Sequence, residues 1–209
     1  MSLHSDVNRS YSDIHRAYIQ AMVAVGVNRS QPKWYVASTR RNCEHSARES
    51  LDSNGFASFL PQKERWRNGP EMNMRYLFKE PMFPGYVFIR HCMDRWAYLG
   101  ICRSRGVEKL IGPSWDSLGV VPDKEVAAID ALQRSRLPHC LYPYPCEGQP
   151  VRVIEGPLSN VEGNFVQIDN MHAVLVISIG IIRQSVAVEM KRSQTVPLRN
   201  PGLYLAAGI

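Results

Sequence analysis

The residues of this 209-residue chain best suited to catalysis or metal binding are its five cysteines and six histidines. A Cys/His enzyme needs a thiolate, a base and a group that orients the base. His91-Cys92 abut one another, and Cys43 lies near His45, but no third-partner pattern accompanies either pair. His139, Cys140 and Cys146 offer three zinc donors, yet their spacing matches no closed tetrahedral set and a fourth ligand is missing. There is no Gly-rich phosphate loop of Walker or Rossmann form and no paired-carboxylate motif. An odd cysteine count without framework spacing predicts reduced thiols. The chain therefore reads as a binding protein without cofactor or metal, not as an enzyme.

What remains is cationic chemistry. The formal net charge is +6. From Glu147 onward, five basic residues (Arg152, Arg183, Lys191, Arg192, Arg199) face five acids (Glu147, Glu155, Glu162, Asp169, Glu189), so the whole excess lies in residues 1–146. A basic front and a neutral back predict two units, of which the first meets a polyanion. The 44% hydrophobic and 21% charged composition is that of an ordinary globular protein. No apolar run approaches the roughly 20 residues of a membrane span, and the polar start lacks the form of a signal peptide, so a cytosolic location is expected.

The elements that must position these cations follow in order. Residues 1–31 carry only a weak amphipathic pattern, Ile14, Tyr18 and Met22 behind Ser12, and are read as an extension. Lys33–Thr39 (KWYVAST) reads as a strand, and Asn42 as the cap of a helix with Ala47, Leu51 and Cys43 on its inner side. Asn54-Gly55 ends that helix, and Phe56–Leu60 reads as a second strand stopped by Pro61. Gln62–Lys79 is polar and basic, with a turn at Asn68-Gly69-Pro70, and reads as a hairpin or ordered loop. Asp94 caps a helix through Trp96, Leu99 and Ile101, and Val107–Ile111 is a short strand. Pro122 and Asp123 start a helix with Val126, Ile129 and Leu132 at helical spacing.

Residues 134–146 hold Pro138, Pro143 and Pro145 with little periodicity and read as a linker. Short strands follow at Val151–Ile154, Asn164–Ile168, Ala173–Ile179, Ser185–Glu189 and Thr195–Leu198, with Gly156 and Gly163 at the first turn. Five strands in so short a span describe a small barrel. The expected fold class is an α+β N-terminal domain, mainly antiparallel sheet flanked by helices, over residues 32–133, then a five-stranded β-barrel over 147–198 and a tail from 199.

One stretch organises the front domain. Pro81–Arg90 reads PMFPGYVFIR, two prolines and a glycine leading into an aromatic and β-branched strand. The order Phe83-Pro84-Gly85-Tyr86-Val87-Phe88 resembles the FPGYVFV signature of the NusG N-terminal domain. Trp34–Thr39 resembles the opening strand of that family, and Arg105-Gly106-Val107 through Ile111-Gly112 its RGV segment. Val151–Phe165 (VRVIEGPLSNVEGNF) resembles the KOW motif, which folds as an SH3-like barrel. The stretch Val174–Glu189 is similar to the operon-specific antiterminators of the UpxY group, relatives of the specialised paralogue RfaH.

The resemblance implies a transcription elongation factor or antiterminator that docks on the clamp helices of RNA polymerase and touches upstream non-template DNA. Phe83, Tyr86 and Phe88 match aromatic positions of the docking surface, and Val126 and Ile129 match apolar helix positions beside it. Arg40 and Arg41 follow the first strand where related factors place basic residues near DNA, and Arg105 precedes the RGV turn. With Lys63, Arg65, Arg67 and Arg75 they compose a phosphate-facing set. In the barrel, Leu158 in the first turn and Ile182 in a later loop are the apolar candidates for contact with a further partner. Leu158 matches the aromatic turn position that the family uses toward the ribosome or the termination factor Rho. Trp96–Leu99 reads Trp-Ala-Tyr-Leu where RfaH has His-Thr-Thr-Thr, so that polar contact is not reproduced. Some members refold the C-terminal domain as helices. Here Val174–Val188 is rich in β-branched residues and interrupted by Gly180, which predicts a permanent β fold. The rival reading is a KOW-type RNA-binding protein acting on the ribosome or on structured RNA.

Overall fold

The structure, a computed structural model, describes residues 31–68, 74–168 and 173–198. The pattern at Ile14, Tyr18 and Met22, the Gly69-Pro70 turn and the tail from Arg199 lie outside the described residues. The chain divides at Asp123/Lys124 into two compact units.

The first unit is built on a four-stranded antiparallel sheet of order β2-β5-β1-β6, from β1 (Lys33–Thr39), β2 (Ala57–Phe59), β5 (Tyr86–His91) and β6 (Val107–Leu110). Alternation along each strand sends successive side chains to opposite faces. Tyr35, Ala37, Val87, Ile89 and Leu110 share one face and bury Ala47 and Leu51 of α1 (Glu44–Ser53) with Ala97 and Ile101 of α2 (Arg95–Arg103). The inner residues expected for α1 are in place, but its start differs from the sequence reading. Asn42 sits at φ 58 and Cys43 is the N-cap, with no side-chain capping bond. The backbone N–H of Cys43 bonds back to the Arg40 carbonyl instead, at 3.0 Å, so a tight turn performs the task expected of a side chain. Asp94 caps α2 as its position predicts, accepting from the Ala97 N–H at 2.7 Å.

Between β2 and β5 the chain forms a separate two-stranded ribbon, β3 (Gln62–Asn68) with β4 (Arg75–Pro81), paired in register from Gln62–Pro81 to Asn68–Arg75. The hairpin alternative of the sequence reading is therefore the observed one.

The second unit holds α3 (Asp123–Ser135) from Lys124 onward and a six-stranded sheet. Its strands are β7 (His139–Tyr142), β8 (Gln149–Val153), β9 (Glu162–Gln167), β10 (Ala173–Ile179), β11 (Gln184–Glu189) and β12 (Thr195–Pro197), in the order β12-β8-β9-β10-β11-β7. Five of these are the expected strands. The sixth, β7, lies in the stretch read as linker and pairs with β11 from Ser185–Tyr142 to Val188–His139. Pro138 and Pro143 bound it, which suits an edge strand whose ladder needs no amide from either proline. Among the described residues the strand order is open, ending on β12 and β7, where the sequence predicted a closed five-stranded barrel. β10 and β11 are strands joined through a 3-10 turn at Gly180–Ile182, as their β-branched content predicts. Glu125 of α3 accepts from the Gly180 N–H at 3.2 Å, and burial pushes its carboxyl above the usual range. Among the described residues no helix is long and apolar enough to cross a membrane.

Candidate functional site

The bend at Pro84-Gly85 is fixed from three sides. Gly85 adopts φ 85, a left-handed conformation that a side chain would strain. Its N–H donates to Glu44 Oε1 at 2.7 Å, and its carbonyl accepts from the Thr39 N–H at 2.9 Å. Glu44 is only 6% exposed, so its carboxylate is a buried strut between the first turn of α1 and the bend. Sequence reasoning passed over this residue. Its one available signal was an acid in a helix first turn, which ordinarily reads as a solvated partner of the helix dipole.

Beyond the bend, Phe88 and Tyr86 share the sheet face opposite the helical core. Phe88 and Phe83 are each 1% exposed, with ring centroids 6.1 Å apart in a T-shaped arrangement. Phe59 continues the row at 6.2 Å from Phe88, and Trp34 lies 6.2 Å from Phe59. The guanidinium of Arg90 covers the Trp34 ring at 5.9 Å. Phe83 and Phe88 thus pack inside this aromatic row. Tyr86, paired with Ser38 at the end of β5, is half-buried and keeps accessible surface. Val126 and Ile129 are buried residues of α3, in the second unit.

The fold assembles three of the basic candidates. The Arg40 N–H bonds to the Gly106 carbonyl at 2.9 Å, which sets Arg40 and Arg41, at the end of β1, beside Arg105. The Arg105 N–H is held by Ser50 Oγ at 2.9 Å. All three side chains are exposed. The ribbon leaves the sheet at this same end, since the Met82 N–H bonds to the Pro61 carbonyl at 2.7 Å and Gly85 joins Thr39. Lys63 and Arg65 are drawn to one carboxylate, Glu80, at 3.1 and 3.8 Å. Arg67 stands opposite Tyr76 in the register. What the sequence did not signal is the ribbon's exposed rings, Trp66, Tyr76 and Phe78. Periodicity reports a buried face, and a ribbon with no buried face leaves no such pattern.

In the second unit, Leu158 is 1% and Ile182 8% exposed, so both side chains pack inward. Among the described residues, the large exposed hydrophobics there are Leu141, Tyr144, Ile154, Ile168 and Val196. Arg152 binds Glu162 at 2.6 Å, and this bond holds the carboxyl below its usual range. The five cysteines are reduced.

Residues 32–130 match the family model described as transcription termination factor nusG. The transcription termination/antitermination protein NusG of Vibrio vulnificus is 25% identical over 181 residues, 79% of this chain and 96% of the relative. The protein of that name from Escherichia coli K12 is 30% identical over 116 residues, 54% of this chain and 62% of the relative. Among solved structures, one titled "Domain interaction in Thermotoga maritima NusG" aligns over 81% of this chain and 98% of that one, at 19% identity and a TM-score of 0.49.

Proposed function

We propose that the chain is a NusG-like transcription termination/antitermination factor that docks on RNA polymerase through the surface around Tyr86 while Arg40, Arg41 and Arg105 face upstream non-template DNA. The observation that carries this reading is the junction of Arg40 with Gly106, which gathers three exposed guanidiniums beside the bend that presents Tyr86. Guanidiniums in such a group neutralise successive phosphates and position a protein on nucleic acid without reading sequence. Tyr86 offers apolar ring area with a polar tip, the form of side chain that most often anchors an interface. Phe83 and Phe88 support the docking surface from beneath, as buried residues. Val126 and Ile129, buried in α3, act through the packing of that helix rather than as exposed anchors. The second unit serves as a KOW-like module that recruits a further partner, with Leu158 and Ile182 shaping it from within. The protein works in the cytoplasm as a specialised, operon-dedicated member of its family, and its action is binding rather than turnover.

Two measurements test this. Tyr86→Ala should weaken binding to core polymerase by about 1–3 kcal/mol, the range of an interface hot spot, with the unfolding midpoint nearly unchanged. Undiminished affinity in the folded variant would remove Tyr86 from the interface. Reversing Arg40 and Arg41 together to glutamate should reduce crosslinking to non-template DNA in an elongation complex. It should also flatten the dependence of DNA binding on salt, by about one counterion for each phosphate no longer neutralised. Crosslinking equal to wild type would dismiss the basic group as a nucleic-acid surface.

A further inference from the structure

The β3–β4 ribbon carries apolar rings on both of its faces, which a ribbon folding for its own stability does not require. Residues directly opposite in the register share a face. Trp66 and Leu77 therefore stand on one face, diagonal to Arg75 and Lys79, while Tyr76 and Phe78 stand on the other with Arg65. Trp66 is 65% exposed and Tyr76 48%, and Arg65 and Arg75 are exposed beside them. Across the two strands five basic residues outnumber two acids, Glu64 and Glu80. Each face thus repeats one arrangement, an aromatic ring with cations at its neighbouring positions.

We propose that this ribbon is a base-stacking element for unpaired nucleic acid, in which Trp66 on one face and Tyr76 with Phe78 on the other receive bases while Arg65, Arg75 and Lys79 meet the phosphates. The proposal rests on the nucleic-acid reading above and names the form of nucleic acid the ribbon takes. Charge decides against a protein partner, because exposed rings framed by cations on both faces complement a polyanion with planar apolar groups. Ring chemistry decides against a duplex. Paired bases are already stacked on one another and show a protein only their edges, whereas an unpaired base has a free π-face. Spacing agrees as well. Tyr76 and Phe78 are two residues apart, about 7 Å along an antiparallel strand. That is about twice the 3.4 Å rise between stacked bases, so one base fits between the two positions. The ribbon also leaves the sheet at the end that carries Arg40 and Arg105, so a strand lying on those guanidiniums can continue toward the rings.

The test uses the full chain with two probes, a single-stranded oligothymidine and a duplex of the same length. Trp66→Ala and Tyr76→Ala should each weaken oligothymidine binding about tenfold and leave duplex binding and the salt slope as in wild type. Both side chains are exposed, so their loss leaves the sheet core untouched. Trp66→Phe, which keeps a ring, should restore most of the affinity, and it should abolish the part of the tryptophan quenching that oligothymidine causes in wild type. Wild-type affinity in both alanine variants overturns the stacking proposal, and if binding stays salt-dependent the Arg40/Arg41 reading survives it. Equal loss on single strand and duplex also overturns it, as does loss of polymerase affinity with oligothymidine binding intact, which would mark the ribbon as a protein-binding surface. Absence of binding to either probe overturns both readings together.

Discussion

Phe88→Ala should lower the stability of the first unit by about 3–5 kcal/mol, the range for deleting a large buried aromatic side chain. The ring is 1% exposed and packs against Phe83 and Phe59 at centroid distances of 6.1 and 6.2 Å. Both neighbours are themselves held in place. Phe83 precedes a bend pinned by the Glu44 bond to Gly85, and Phe59 is paired with residue 88 across the β2–β5 ladder. Neither can slide into the vacated space without breaking backbone bonds, so the cavity stays open and the cost falls at the upper end of the range. Urea unfolding of the full chain, read by amide exchange in β1 and β5, measures it. A loss below about 1 kcal/mol would mean that the row collapses freely, contrary to the restraint described. The comparison with Tyr86→Ala is the informative one. Two residues apart on the same strand, one substitution should damage folding and the other binding.

That division was not readable in the sequence, and the reason is geometric. Tyr86-Val87-Phe88-Ile89 is apolar at every position, so no alternation distinguishes an inner face from an outer one. Aromatic and β-branched content did mark whole strands, even where consecutive residues are buried. Lys33–Thr39 was bounded correctly as a strand, and Ala173–Ile179 kept the limits its β-branched residues indicated. Signals carried by a single side chain also survived, as the Asp94 cap shows. What failed were features made by backbone or by distant pairing. Asn42 read as a cap because its side chain can cap, but a left-handed residue and a backbone turn do the work. His139–Tyr142 read as linker because four residues between prolines hold no period. They become a strand only because β11 offers an edge. The basic residues were visible as composition, yet nothing in their spacing joined Arg40 to Arg105, sixty-five positions away. The Gly106 carbonyl makes that junction.

Gly163→Val should disrupt the second unit by about 3 kcal/mol or more, since a side chain forced into a packed site costs typically 1–3 kcal/mol and here the obstacle is backbone. A Cβ at Gly163 would stand 2.6 Å from the Val176 carbonyl oxygen and 3.0 Å from Leu175 Cδ1. The carbonyl cannot retreat, because residue 176 is paired with Asn164 on one side and Ala187 on the other. Gly163 is therefore required for the close approach of β9 to β10 rather than for turn flexibility. Gly180 supplies the control. Its Cβ would meet nothing nearer than Glu125 Oε1 at 3.9 Å, and its N–H bond to Glu125 would persist. Gly180→Ala should then be neutral or stabilising by up to about 1 kcal/mol, through reduced freedom of the unfolded chain. Amide exchange in β8, β9 and β10 of the full-length variants separates the two. Protection should collapse in the Gly163 variant and hold in the Gly180 variant. Equal protection in both would show that β9 and β10 can part far enough to admit a side chain, and the close approach would lose its structural role.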